Sequence, residues 1–446
     1  MELTDLLLLS LALIFLRFWW RYWSVTAVVQ EPPARPTRVA AGWEPGAGDP
    51  PAPSLHLRAL VQRGPIFASR PEDSPTRLVF SVGKCAINSA QYGPLWRTLR
   101  RNFVAELITP TRIRQCSWIR KWALENHMRR LQMEISERRI KEIESVLKDV
   151  MLMTTPKLPD FLPVLTPLLR RQLREAKELR KKQMECMVPL VRSRRAFVES
   201  KGAPGRSSSE MVSPIGAAYI DSLFGLEPAE RGRLGEEELV TLCSEIINAG
   251  TDTSATTVEW ALLHLVMNQD IQQKLYKEII DCVGKNGVVT EGDVEKMPYL
   301  GAIVKETFRR HPPSHFVLSH AATKDTELGG YTIPADVNVE FYTAWVTEDP
   351  DLWQDPAEFR PERFLQGDGV NVDVTGTRGV KMVPFGAGRR ICPAMNLGTL
   401  HVNLLIARMI HAFKWIPAPG SPPDPTETFA FTVVMKNPLK ALILPR

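Results

Sequence analysis

Phe385-Gly386-Ala387-Gly388-Arg389-Arg390-Ile391-Cys392-Pro393-Ala394 is the stretch whose reading decides the fold. Two glycines permit a tight turn and a close approach of the backbone to a flat ligand. Arg390 offers a cation to an anionic group. Cys392 stands just ahead of an apolar run, Met395 to His411, that reads as a helix. A thiolate is stabilised at a helix N-terminus and by a bound metal. An isolated cysteine behind a glycine turn is more often inert core; the length and order of this run argue for chemistry.

The run resembles the haem loop of the cytochromes P450, Phe-x-x-Gly-x-Arg-x-Cys-x-Gly. Phe385, Gly388, Arg390 and Cys392 match, and Ala394 stands where the family usually has glycine. The resemblance implies a cytochrome P450 fold, mainly α with small β-sheets. It implies haem b (iron protoporphyrin IX) with Cys392 as axial thiolate and metal ligand. Phe385 would shield the sulfur, Gly388 would form the cofactor loop, and Arg390 would bind a propionate. Thiolate ligation favours O–O cleavage.

Working outward, Ala249-Gly250-Thr251-Asp252-Thr253-Ser254 lies in the middle of a long helix expected from about Glu236 to Met267. A glycine there costs about 1 kcal/mol against alanine. Thr253 can bond back to a carbonyl one turn earlier and loosen the helix. An acid and a hydroxyl together can relay protons. Threonine and aspartate are common in helices, so the residues alone say little. They resemble the family's oxygen-activating motif at every position, which implies Asp252 and Thr253 as the proton-delivery pair, with Ala249 and Gly250 nearest the haem.

Glu306 and Arg309 share a helix face, an ordinary ion pair by themselves. They resemble the family's Glu-x-x-Arg motif, and Phe359-Arg360-Pro361-Glu362-Arg363-Phe364 resembles its partner. Together these imply a buried Glu306–Arg309–Arg363 network with a structural role. Trp96 and Arg100, four apart, point the same way. An amphipathic helix with a buried tryptophan accounts for them equally well; the family's Trp-x-x-x-Arg helix implies propionate contacts. His320 is expected as a further propionate contact, with Ser319 replacing the usual proline.

The 446 residues are 44% hydrophobic and 24% charged, ordinary for a globular protein, with a net charge of +6. The six cysteines contain no CxxC pair, so neither a zinc site nor a disulfide framework is expected. A nucleic-acid partner has only the net charge behind it, and none is expected. Helical signals run from about Trp96 to Val198, with a basic amphipathic stretch, Leu168 to Cys186, that suits a solvated face or a membrane surface. After a Gly/Ser/Pro break at Gly202 to Ser209 come helices at Asp270 to Val283 and Val294 to Arg310, stopped by His311-Pro312-Pro313. Tyr331 to Phe341 reads as strands joined by a Pro334-Ala335-Asp336 turn.

Leu6 to Leu16 is almost wholly apolar and is extended by Phe18, Trp19, Trp20, Tyr22 and Trp23. Glu2 and Asp5 precede it and Arg17 and Arg21 follow, which favours a signal anchor over a cleaved signal peptide or a buried helix. The expected organisation is an anchor over 1–24, a Pro/Gly-rich linker over 25–53 and a haem-thiolate catalytic domain over 54–446.

The match is nearly continuous from about Leu234 to Arg446, ending in Phe431-Thr432-Val433-Val434-Met435-Lys436-Asn437-Pro438-Leu439. The texture resembles a plant A-type microsomal cytochrome P450 close to the family-89 group. The first half departs from it: the Pro-rich stretch replaces the first helix and most of the first sheet, and a second shortfall falls between about Arg130 and Glu142. The resemblance implies a monooxygenase at the endoplasmic reticulum membrane, with the catalytic domain cytoplasmic. It would be fed by NADPH–cytochrome P450 reductase docking on Arg97, Arg101 and Arg389. An apolar small-molecule substrate would touch Phe80, Ile247, Phe316, Val317 and Phe431. The alternative is a truncated, catalytically impaired or non-catalytic relative.

Overall fold

A 32-residue helix, Glu236–Met267, is the spine of the molecule. The first turn carries Glu236, Glu237 and Glu238 against the helix dipole. The Glu238 carboxylate accepts the Gly235 N–H at 2.8 Å. At the other end the Asn268 side chain donates to the His264 carbonyl at 2.9 Å. The sequence boundaries expected for this helix are those observed.

The computed structural model describes residues 26–29, 55–133, 138–154, 166–201, 218–229, 231–335, 337–377 and 379–446. Its longer helices, numbered in chain order, are α1 Pro94–Phe103, α2 Ser117–Met133, α3 Arg138–Thr154, α4 Thr166–Lys201, α5 Glu236–Met267, α6 Gln269–Val283, α7 Pro298–Arg310 and α8 Met395–Ala412. The strands are β1 Thr26–Val29, β2 His320–Ala321, β3 Thr326–Leu328, β4 Tyr331–Ile333, β5 Asn338–Phe341, β6 Phe413–Pro417, β7 Glu427–Ala430, β8 Thr432–Met435 and β9 Ala441–Pro445. A mainly helical chain with small sheets is thus observed.

The largest core lies where α5, α6, α7 and α8 meet, around Leu265, Leu275, Ile303, Ile406 and Ile410, all fully buried. Each such side chain contributes about 1.5–3 kcal/mol. A second core, with Leu60, Phe67, Val339 and Phe341, includes Val383 and Ala387 and so seats the cysteine loop. A third packs Leu99 and Phe103 of α1 with Leu239 and Leu242 of α5, and Ala394 and Leu397 lie against it. The start of α8 is therefore wedged between α1 and α5.

Several details differ from the sequence reading. α7 begins at Pro298, an N1 proline, after a separate short helix Glu291–Val294. The strands within Tyr331–Phe341 enter different sheets: β4 pairs with β3, while β5 pairs with β1 and β2. The hairpin turn lies earlier, at Gly329-Gly330, where both residues have positive φ, as a two-residue hairpin turn requires. Within α4, Arg170, Arg171, Arg174, Lys177, Lys181 and Lys182 are exposed. Arg180 is buried and donates to Gln183, the Glu237 carbonyl and Thr241. Strand β1 falls inside the segment expected as linker. The expected anchor, the rest of that linker and residues 134–137 of the 130–142 shortfall lie outside the described residues. Among the described residues no helix is long and apolar enough to cross a membrane.

The expected charged network is present and buried. Glu306 and Arg309 are both 0% exposed and form a bidentate pair, with both N–O distances 2.8 Å. Arg363 Nε adds a contact at 3.0 Å and the Arg360 N–H another at 2.9 Å, both to Glu306 Oε1. The remaining Arg309 donors go to the carbonyls of Thr347, Pro356 and Glu358, so α7 is tied to the segment leading into the cysteine loop. Removing one partner strands the others as buried charge. Glu306→Gln is expected to lower unfolding stability by about 3–5 kcal/mol, measured as the shift of the urea unfolding midpoint. A change below about 1 kcal/mol contradicts this reading.

Candidate active site

The cysteine loop is built by its glycines. Gly386 and Gly388 have φ of 70° and 68°, and a methyl on Gly388 would lie 1.7 Å from the Leu60 carbonyl oxygen. Only glycine allows this contact. The Cys392 N–H donates to the Phe385 carbonyl at 2.8 Å, closing the loop. The Phe385 ring stands edge-on to Phe308, centroids 5.0 Å apart. Ala394 caps α8 with φ of −99°, so its backbone makes no demand for glycine.

Arg390 is buried and donates to three backbone carbonyls: Ala68 at 2.7 Å, Ile87 at 3.0 Å and Ala90 at 2.6 Å. Its guanidinium lies over the Trp96 ring at 4.6 Å. Arg100 donates to the Ile391 carbonyl at 2.6 Å and sits 6.0 Å from the same ring. Trp96, Arg100, Arg390 and Cys392 are therefore brought together. Buried His320 lies edge-on to Phe341 at 5.5 Å. Burial, and then the charges of Arg70 and Arg390, hold its pKa well below the usual range, which places it beside the same cations.

Two residues of this cluster have no local sequence signal. Buried Arg70 donates to the carbonyls of Asn88, Leu318 and Ser319. Glu245 of α5 accepts the N–H groups of Ile87 and Asn88, at 2.9 and 2.5 Å. The 87–90 backbone thus gives its N–H groups to Glu245 and its carbonyls to Arg70 and Arg390. Only the fold brings them within reach.

The charges do not balance. Among the described residues Arg70, Arg100 and Arg390 make no salt bridge. Burial first, then Arg70 and Arg100, pulls Arg390 down to about 8. Trp96 Nε1 is buried and without a hydrogen-bond partner. A concentration of buried cations beside an unused N–H donor fits an anionic, planar group such as haem with its propionates. For Cys392, burial raises the thiol pKa more than the Ala394 N–H and Arg100 lower it. The helix start alone does not favour the thiolate.

On α5, Leu239 to Leu242 and Thr256 to Val258 are buried while Ile247 to Ala255 are partly or fully exposed. A methyl built on Gly250 meets nothing within 4 Å. Thr253 Oγ1 donates back to the Ala249 carbonyl at 2.7 Å, as expected, and Thr257 repeats the pattern with the Thr253 carbonyl. Asp252 accepts a 2.6 Å hydrogen bond from Thr432 of β8. Of the expected apolar contacts, Ile247 and Phe316 are exposed, whereas Phe80 is buried in a small cluster with Val150, Ala176 and Leu179. Val317 packs against the core that seats the loop.

Burial, the largest influence, pushes the Glu245 carboxyl up to about 7 from 4.5. The folded chain then keeps a proton that the unfolded chain releases. The contribution of Glu245 to stability falls as pH rises from about 4.5 to about 7 and then levels. Glu245→Gln is expected to remove this contribution, making the slope of stability against pH less negative in urea unfolding across the interval; an unchanged slope contradicts the assignment.

The family model for cytochrome P450 matches residues 115–444. Cytochrome P450 89A9 of Arabidopsis thaliana is 35% identical over 438 residues, covering 88% of this chain and 83% of the relative. Cytochrome P450 78A11 of Oryza sativa subsp. japonica is 40% identical over 245 residues, covering 54% of this chain and 44% of that one. A zebra fish cytochrome P450 structure with abiraterone superposes with a TM-score of 0.64 at 24% identity, covering 88% of this chain and 92% of that chain. Two thirds or more of the chain is thus accounted for by one haem-thiolate fold, and the chain belongs to the cytochrome P450 family of monooxygenases.

Proposed function

We propose that this chain inserts one atom of dioxygen into an apolar small molecule, using electrons from NADPH delivered by NADPH–cytochrome P450 reductase. The observation that carries the reading is the convergence of Trp96, Arg100 and Arg390 on the loop of Cys392. Cys392 would hold the haem iron, and Trp96, Arg100, Arg390 and His320 would surround its propionates. When bound, haem b supplies the electron transfer and O–O cleavage that a thiolate ligand favours.

The protein's own groups do the rest. Gly388 lets Leu60 press against the loop, fixing the cysteine backbone. Phe385 holds the Cys392 N–H, leaving the sulfur no amide from that residue to share. Asp252 and Thr253 hold and pass protons at their carboxylate and hydroxyl oxygens. Ile247, Phe316, Val317 and Phe431 favour an apolar substrate. Phe80 is committed to packing and contributes at most through its neighbours.

Arg97, Arg101 and Arg389 are exposed and would steer an acidic flavoprotein toward the cysteine side. The apolar run at Leu6 to Leu16 supports an anchor in the endoplasmic reticulum membrane with a cytoplasmic catalytic domain.

The test is haem stoichiometry and NADPH-supported oxidation of the purified full chain. Wild type is expected to hold one haem per chain. Cys392→Ala is expected to lose oxidation. Asp252→Asn is expected to keep its haem and slow oxidation by about a hundredfold or more. Oxidation by Cys392→Ala at the wild-type rate contradicts the proposal.

A further inference from the structure

We infer that Thr432, on the C-terminal hairpin, is a positioning residue that aims the Asp252 carboxylate. This deepens the reading of Asp252 as a proton carrier and rests on it. Thr432 is 2% exposed. Its Oγ1 donates to Asp252 Oδ2 at 2.6 Å and lies 3.2 Å from Thr256 Oγ1. A hydroxyl has one hydrogen and can accept as well. With that hydrogen on the carboxylate, Thr432 accepts from Thr256. The direction of the chain is fixed: Thr256 to Thr432 to Asp252. At 2.6 Å the bond to Asp252 is within the short range, roughly 2.5–2.7 Å, of a hydroxyl on a carboxylate.

Asp252 and Thr256 are one helical turn apart on α5, so the hydroxyl from β8 bridges two successive positions on one face. The hairpin that delivers it is held from both sides. Trp260 Nε1 donates to the Val433 carbonyl at 2.9 Å, and the Val433 N–H donates to the Pro313 carbonyl at 2.9 Å. Phe431, between the paired residues Ala430 and Thr432, has φ of 71°. A side-chain-bearing residue keeps that backbone only where its surroundings enforce it. The chain is thus bent sharply at the residue before Thr432, and the next residue is bonded to α5.

A structural hydroxyl and a positioning hydroxyl make different predictions. Thr432→Val keeps volume and removes the donor; Thr432→Ser keeps the donor. In urea unfolding of the full chain, Thr432→Val and Asp252→Asn are expected to be non-additive by about tenfold or more in the unfolding equilibrium constant. In reductase-supported NADPH oxidation, the solvent deuterium isotope effect of Thr432→Val is expected to rise toward that of Asp252→Asn, with the ferrous–carbon monoxide spectrum unchanged. Thr432→Ser is expected to restore the wild-type isotope effect. Additive unfolding effects, an isotope effect unmoved by Thr432→Val, or equal impairment by Val and Ser each overturn the inference. If wild type itself shows no thiolate-type spectrum, the monooxygenase reading falls instead, while the unfolding cycle still decides the bond.

Discussion

Three backbone carbonyls on one buried guanidinium hold the cysteine loop against the rest of the chain. Ala68, Ile87 and Ala90 all accept from Arg390, so two segments before α1 are tied to a residue two places from Cys392. Carbonyls carry partial charge only, and the cation stays costly to bury. Arg70 and Arg100, close enough to depress Arg390 further, compound the cost. A fold that sets two arginines over a tryptophan with an idle N–H, and a third arginine near one of them, is arranged for an anion. The propionates of haem meet that description.

The same burial sets the state of the cysteine. A half-buried thiol resists ionisation, and the Ala394 N–H and Arg100 offset this only in part. In the proposed site, ligation and ionisation would be coupled: a bound metal would draw out the thiolate that the protein alone disfavours. The buried Glu306–Arg309–Arg363 network works at one remove. The arginine donors not spent on Glu306 end on carbonyls of the segment from Thr347 to Glu358, which fixes the approach to the loop without touching it.

Much of this was legible because its spacing is local. Gly388, Arg390 and Cys392 lie within five residues. Trp96 and Arg100 are one turn apart, and so are Ala249 and Thr253. The ends of α5 fall at the expected Glu236 and Met267. What escaped depends on long-range contact. Arg70 sits in a loop with no periodicity, and Glu245 looks like one more helix acid until the fold buries it. Thr432 meets Asp252 across 180 positions. Phe80 is a case of the same kind: an aromatic in a helix gives no sign of whether it faces a pocket or, as here, packs in a core. The Gly329-Gly330 turn was readable, and was outweighed by a proline turn five residues on.

The account turns on sulfur bound to iron at position 392. The ferrous–carbon monoxide difference spectrum of the purified full chain measures that bond directly. A thiolate-type Soret band in the wild type, lost in Cys392→Ser and kept in Cys243→Ser, is the predicted result. A haem-loaded chain with no such band, or one that keeps the band in Cys392→Ser, contradicts it.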